Sequence, residues 1–218
     1  MTIKSLTVAL FSAEEAQWLI PAAADMASRT GAHLTGVLPM DVQVPFAGAE
    51  GSLVSYGAAF FPEWQRQEAE AIAEGFEAAV AGRDFLYDFR QQPLGSESAE
   101  HFLLGNVAAA DLVLAGQCPH QSARHSHRQL QEQLIRHSGR PVLVLPDGWP
   151  PAPIGTHILI GWSNTREAIR AAHYARALAQ PGASISILHI GDGGPGLCAE
   201  VCDSTVYTPT CNGDDISV

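Results

Sequence analysis

Short apolar runs alternate along this chain with segments whose apolar residues recur every three or four positions, and this alternation is the strongest constraint on its fold. Residues 6–11 form the first apolar run, which ends at Ser12, and Glu15 follows three residues later, as at the start of many helices. Apolar residues then recur at helical spacing as far as Gly31, and residues 34–40 form a second apolar run. Strand, helix and strand with short connections predict a βαβ unit with parallel strands.

The same alternation continues to residue 147. Three further apolar or alternating segments predict strands at residues 85–89, 111–116 and 141–146. Helical patterns separate them at residues 62–80, 99–110 and 130–139, while residues 41–61 have the composition of a long loop. Five strands that alternate with four helices predict an α/β domain over residues 1–147, with an open, doubly wound parallel five-stranded sheet.

The pattern starts again after residues 148–155, a proline- and glycine-rich segment that we predict to be a linker. Aligning Leu6 with Ile158 places Glu15 on Glu167, which indicates an internal repeat with a period of about 150 residues. The second copy, residues 156–192, contains one strand, one helix and one strand, and is therefore a partial repeat. Residues 193–218 have no helical or alternating apolar pattern, and we expect a disordered tail there.

Composition excludes several classes of partner. The chain of 218 residues has 12 Lys and Arg against 23 Asp and Glu, a formal net charge of −11, which disfavours nucleic acids and anionic membrane surfaces. No apolar run is long enough to span a bilayer, and 4 cysteines are too few for a disulfide scaffold. We therefore expect a cytoplasmic protein.

Motifs for catalysis or metal binding are weak. The chain has no Ser-His-Asp order, no HExxH motif and no nucleophile elbow, so we predict that it is not an enzyme. His120, His125 and His127 lie close together in a polar segment. A solvated, histidine-rich loop explains them better than a metal site, and we predict no metal.

Several segments resemble the universal stress protein family. The most specific is residues 134–146, a helix that ends in Arg136-His137 and is followed by a Pro-Val-Leu-Val strand. Residues 110–116 and the opening strand, loop and helix add to the resemblance, and residues 161–168 look like the second repeat of tandem members. The resemblance implies strand order 3-2-1-4-5 and a cytoplasmic, often dimeric protein. Some members of the family bind ATP and others do not.

The chain departs from the pattern of the ATP-binding members, which carry Gly-x2-Gly-x9-Gly-Ser/Thr after the fourth strand. Gly116 keeps the first glycine, Pro119 replaces the second, and the third falls on Gln129 or Arg128. Proline has no backbone N–H to offer a phosphate, and Arg and Gln do not tolerate the backbone conformation that glycine supplies. We therefore predict a degenerate nucleotide-binding loop.

An acidic residue of the family that follows the first strand is also replaced, by Phe11 in the first repeat and by Ser163 in the second. The candidate residues of this degenerate nucleotide cleft are Phe11, Ser12, Leu38, Gly116, Gln117, Arg128 and Gln129. We favour a non-catalytic binding or regulatory module in stress response, without a cofactor. The alternative is an adenine-nucleotide (ATP) binding protein with weak or no ATPase activity.

The apolar strand at residues 141–145 bears on assembly, because it lies at a sheet edge in the implied strand order. Unpaired backbone groups at an edge favour pairing with another chain, and in the family this strand commonly mediates dimer contact. We expect a homodimer through residues 141–145. The alternative is that the second repeat covers the same edge within one chain.

Overall fold

The computed structural model describes residues 2–40, 63–93, 98–118, 125–150 and 152–189. Within it, contacts divide the chain into two compact units, Ile3–Pro151 and a second one that begins at Ala152. This division lies inside the proline-rich segment 148–155. The predicted tail, residues 193–218, lies outside the described residues.

The first unit is an α/β sandwich around one parallel sheet. Its elements are β1 (Ser5–Ala9), α1 (Ala13–Thr30), β2 (His33–Leu38), α2 (Glu63–Val80), β3 (Tyr87–Gln91), α3 (Ala99–Val107), β4 (Leu112–Gly116), α4 (His125–His137) and β5 (Val142–Leu145). The five strands lie in the order β3-β2-β1-β4-β5, and every neighbouring pair is parallel. The predicted fold class and strand order are confirmed.

The central strands β1 and β4 form the core of this sheet. β1 lies between β2 and β4 with helices on its faces, so Leu6, Val8 and Leu114 are completely buried. Burial on both faces explains why these strands are continuous apolar runs rather than alternating ones. The edge strand β3 differs, since Tyr87 is 42% exposed.

Helix α1 begins and ends where the sequence predicts. The Ser12 side chain accepts a hydrogen bond from the backbone N–H of Glu15 at 3.2 Å and caps the first turn. Gly31 ends the helix with φ of 65°, a left-handed conformation that glycine adopts without steric cost, and its N–H bonds to the carbonyl of Ala27. The start of α1 is thereby fixed directly after β1.

The second unit contains β6 (His157–Trp162), α5 (Arg166–Leu178) and β7 (Ser184–His189). β6 and β7 pair in parallel, and α5 covers one face of the pair. The buried residues of this small core are Ile160, Trp162, Ala172 and Ile187. On β6, Leu159 is 68% exposed. None of the helices in the described segments of either unit is long and apolar enough to cross a membrane.

Candidate functional site

The carboxyl ends of β1 and β4 form the point at which the strand order of the sheet reverses. The chain leaves β1 towards β2 on one side, while β4 lies on the other side, so the connections diverge here. Open α/β sheets bind ligands in the crevice at such a point. We call the backbone N–H groups of Phe11 and Gly116, which follow or end these two strands, the strand-end corner.

The carboxylate of Glu15 occupies the strand-end corner. Its Oε1 accepts a hydrogen bond from the N–H of Gly116 at 2.8 Å, and its Oε2 accepts one from the N–H of Phe11 at 3.3 Å. Both donors, from two different strands, are therefore satisfied by one side chain of the protein itself.

Glycine at position 116 makes this approach possible. A Cβ atom there would lie 2.6 Å from Glu15 Oε1 and 2.8 Å from Trp18 Cη2, closer than real Cβ contacts allow. The Glu15 side chain thus fills the space directly above the last residue of β4.

Burial raises the pKa of Glu15 to about 7. The hydrogen bonds from Gly116 and Phe11 act in the opposite direction, because they stabilise the charged form, and the negative charge of Asp147 raises the pKa further. The pKa of the Cys118 thiol is also raised, by burial first and then by the charge of Glu15, while Arg128 lowers it. The corner is therefore an environment that disfavours additional negative charge.

A second carboxylate lies in the turn between β1 and α1. Glu68, on α2, accepts a hydrogen bond from the N–H of Ala13 at 3.2 Å. The amides of Phe11, Ala13 and Glu15 are thus all paired with side-chain oxygens of the protein, as buried backbone donors require. An incoming phosphate would meet occupied donors and two acidic side chains.

The end of β4 is held by Gln131 on α4. The side-chain NH2 of Gln131 donates to the carbonyl of Gly116, and its oxygen accepts from the N–H of Cys118 at 3.4 Å. The N–H of Gln117 donates to the carbonyl of Leu145 at 2.7 Å, which continues the pairing of β4 with β5. The chain that leaves β4 is therefore fixed as far as Cys118.

A cleft with both polar and apolar lining lies beside the strand-end corner. Its lining consists of Phe11, Leu38, Pro39, Met40, Gln65, Glu68, Ala69, Ile72, His127 and Leu130. Two buried glutamines flank it and differ in their bonding. Gln92 accepts a hydrogen bond from the N–H of Met40 at 2.9 Å, whereas the side-chain oxygen of Gln65 has no partner within the described segments.

The structure brings together part of the predicted site. Phe11 and Leu38 line the cleft, Gly116 belongs to the strand-end corner, and Ser12 caps α1. Gln117, Arg128 and Gln129 are exposed, and Arg128 forms an ion pair with Glu132 at 3.5 Å. Pro119 and His120, which carried the argument about the loop and the metal, lie outside the described residues.

Three functional side chains of the site were not predicted: Glu15, Glu68 and Gln131. Glu15 was recognised from its spacing to Ser12, but this spacing indicates a helix cap and says nothing about Gly116, which lies 101 positions further along the chain. His127, rather than Arg128 or Gln129, is the residue of this part of α4 that faces the cleft and lies near the Phe11 ring, with 6.0 Å between ring centroids. Across the described ranges, no group of three or more His, Cys, Asp or Glu residues is placed to hold a metal ion.

No family model matches the sequence, and no curated protein matches it. Among solved structures, a protein of the universal stress protein family from Burkholderia pseudomallei is 21% identical, with 67% of this chain and 98% of that chain covered and a TM-score of 0.46. The universal stress protein UspA from Lactobacillus plantarum is 17% identical, with 65% of this chain and 98% of that chain covered and a TM-score of 0.43. The universal stress protein from Archaeoglobus fulgidus in complex with dAMP is 14% identical, with 66% of this chain and 98% of that chain covered and a TM-score of 0.41.

Proposed function

We propose that this chain is a non-catalytic binding or regulatory module of the universal stress protein type, in which the strand-end corner does not bind the phosphates of a nucleotide. The observation that supports this proposal is the Glu15 carboxylate on the amides of Phe11 and Gly116. A role in stress response and a location in the cytoplasm are part of the same proposal.

Charge repulsion by Glu15 gives the expected size of the loss in nucleotide affinity. A phosphate oxygen about 4 Å from a carboxylate is repelled by about 4 kcal/mol at the effective dielectric constant of a site near the protein surface. That energy corresponds to a loss of roughly a thousandfold in affinity. Glu68 in the adjacent turn adds to the repulsion, so a nucleotide would have to displace one carboxylate and approach another.

The arrangement of the acidic groups also supports a non-catalytic role. Glu15 and Glu68 each accept hydrogen bonds from backbone amides. General-base catalysis needs a carboxylate within reach of the proton it removes, on a nucleophile or a water molecule. In the observed geometry the oxygens of Glu15 and Glu68 accept from the main chain instead.

The alternative function, adenine-nucleotide binding, is favoured by the cleft. Phe11, Leu38 and His127 line the cleft and offer apolar and aromatic contacts to a base. In that case the base would contribute most of the affinity, because the donors of the strand-end corner are occupied.

Thermal denaturation with ATP and magnesium distinguishes the two functions. At pH 8, where most Glu15 carboxyls are charged, we expect no change in Tm at millimolar ATP, whereas a ligand present at 100 times its Kd adds about 2.7 kcal/mol of stability. Adenosine serves as the matched probe, since it carries the base without phosphates. A higher Tm with ATP than with adenosine would contradict the proposal.

We also propose that the chain forms a homodimer through β5. Val142, Leu143 and Val144 are partly exposed, and β5 is the edge strand beside β4. An apolar edge strand is a template for pairing with a second copy. Light scattering coupled to size-exclusion chromatography measures the mass, and a monomer of 23.2 kDa at tens of micromolar would refute the dimer.

A further inference from the structure

Glu15 is bound in the strand-end corner as an external oxyanion would be bound. Its two oxygens accept from donors on different strands, and its side chain lies above Gly116, in the space left by the missing Cβ. Carboxylates, sulfates and phosphates use backbone N–H donors in the same way. The oxyanion bound in this corner is therefore the carboxylate of a side chain of the protein itself.

We propose that Glu15 is a built-in competitor that keeps external oxyanions out of the strand-end corner, and that the corner opens when this carboxylate is removed or neutralised. The inference rests on the proposed function, because it names the contact that closes the site. It extends that function from a lost nucleotide site to a regulated one.

The position of Glu15 allows it to leave the corner. It lies in the first turn of α1, next to solvent-exposed Glu14. Its carboxylate is buried in the corner, but the residue as a whole is partly exposed, which gives the carboxylate a route outwards by a change of side-chain rotamer. The backbone donors stay in place, because Gly116 pairs with Leu145 of β5 and Leu10, directly before Phe11, donates to the carbonyl of Val37. Gly116 is additionally held through its carbonyl by Gln131.

The charge of the Glu15 carboxyl changes within the neutral pH range. Burial raises the pKa of Glu15 to about 7, so about nine tenths of the carboxyls are neutral at pH 6 and about one tenth at pH 8. Other titratable or charged groups come from each neighbouring element. They are Glu14 on α1, Glu68 on α2, Cys118 after β4, His127 and Arg128 on α4, and Asp147 after β5.

Sulfate is the probe that tests the inference, because its charge does not change between pH 6 and 8. The unaltered protein should bind sulfate about tenfold more tightly at pH 6 than at pH 8, in proportion to the neutral fraction of Glu15. Glu15→Ala should bind it at least tenfold more tightly than the unaltered protein at pH 8, with the same affinity at both pH values. The amide chemical shifts of Phe11 and Gly116 during the titration show where the ion binds.

Glu14→Ala is the matched control, since it removes the same charge from the same turn at an exposed position. It should bind sulfate like the unaltered protein. Equal gains in Glu14→Ala and Glu15→Ala would overturn the inference, as would no gain in a folded Glu15→Ala. A pH dependence that persists in Glu15→Ala would assign the effect to another titratable group and would also overturn it.

The unaltered protein provides a second route if Glu15→Ala does not fold. Sulfate affinity that is the same at pH 6 and pH 8 would then overturn the inference. These outcomes are separate from the ATP experiment. A rise in Tm with ATP contradicts the proposed function. An unchanged Tm with ATP, together with unchanged sulfate affinity in Glu15→Ala, contradicts this inference alone.

Discussion

The first βαβ unit, β1-α1-β2, and its repeat, β6-α5-β7, have the same local structure in different surroundings. Each has a strand, a helix that a hydroxyl side chain caps, and a parallel second strand. Ser12 accepts from the N–H of Glu15 at 3.2 Å, and Thr165 accepts from the N–H of Ala168 at 3.3 Å. Yet β1 lies between two strands, whereas within the described part of the second unit β6 is paired with β7 alone.

Burial follows the surroundings rather than the local sequence. Helix α1 has seven buried residues, whereas α5 has one, Ala172. Leu6 is completely buried, and Ile158, its counterpart in the repeat, is only partly buried. The pattern of apolar residues determines the elements, and the neighbouring strands determine how much those elements bury.

The glutamates that follow the two caps show the same difference in chemical terms. Glu15 bonds to the amides of Phe11 and Gly116. Its counterpart Glu167 is exposed and lies 3.5 Å from Arg166. No strand in the described residues of the second unit takes the place of β4, so Glu167 has no equivalent of Gly116 to bind. The strand-end corner therefore depends on the assembled sheet as well as on the position of the glutamate, which is third after the cap in α1 and second after the cap in α5.

The largest expected effect is a difference in the loss of stability between the cores of the two units. Leu6→Ala should lower the free energy of unfolding by about 3–5 kcal/mol, because it removes a completely buried side chain and leaves a cavity. Ile158→Ala should cost about 1–2 kcal/mol, since this side chain is already partly exposed. Hydrogen exchange of the amides in β1 and β6 measures each loss locally. Equal losses would show that β6 is as well enclosed as β1.

The strands were largely predictable because a fully buried parallel strand leaves a continuous apolar run in the sequence. The boundaries were less so, and α3 ends at Val107 rather than at the predicted residue 110. Ile135, an apolar residue within the predicted helical segment 130–139, is 53% exposed. Apolar spacing locates a helix, but it does not fix which residue at the margin of the apolar stripe is covered.

The site was predicted only where it depends on strand ends. Phe11 and Gly116 were identified because the resemblance to the family places its acidic residue and the first glycine of its motif at these two strand ends. The contacts of Glu15 with Gly116 and of Glu68 with Ala13 join residues 101 and 55 positions apart, and no local pattern contains them. Arg128 and Gln129 were selected by counting along a motif, whereas the rotation of α4 directs His127 and Leu130 to the cleft.

The next prediction compares the two glutamates by their effect on pH dependence. The pKa of Glu15 is about 7 in the folded protein and near 4.5 when unfolded, so the folded state binds more protons between these values. Its contribution to stability is therefore complete below pH 4.5 and is lost as the pH rises to 7, by on the order of 2 kcal/mol.

Glu15→Gln should remove this slope from the stability-pH profile, while Glu167→Gln, the matched control, should retain it. Urea denaturation at pH values from 4.5 to 8 measures both profiles. The slope is compared rather than the absolute stability, because the glutamine amide cannot accept from both backbone donors. An unchanged slope in Glu15→Gln would assign the proton uptake to another group.

A smaller difference in stability is expected between alanine substitutions of the glycines near the ends of β4 and β6. Gly116→Ala places a Cβ 2.6 Å from Glu15 Oε1 and should cost about 1–2 kcal/mol, because Glu15 or Trp18 must move. Gly161→Ala meets no atom within 4 Å and should change stability by less than about 0.5 kcal/mol. In a Glu15→Ala background the cost of Gly116→Ala should fall, since the two residues are in contact. An undiminished cost there would make Trp18 the source of the strain.

The smallest effect concerns the two caps and should be the same in both regions. Ser12→Ala and Thr165→Ala each remove one hydroxyl that accepts from a backbone N–H at nearly equal length, 3.2 and 3.3 Å, and each should cost about 1 kcal/mol. Hydrogen exchange in the first turns of α1 and α5 measures the loss, and the exchanges Ser12→Thr and Thr165→Ser should restore most of it. If the caps have equal effects while the cores and glutamates do not, the difference between the units lies in their neighbouring strands. A clearly larger loss for Ser12→Ala would instead mean that the cap also positions the Glu15 carboxylate, which would make the strand-end corner partly a product of local sequence.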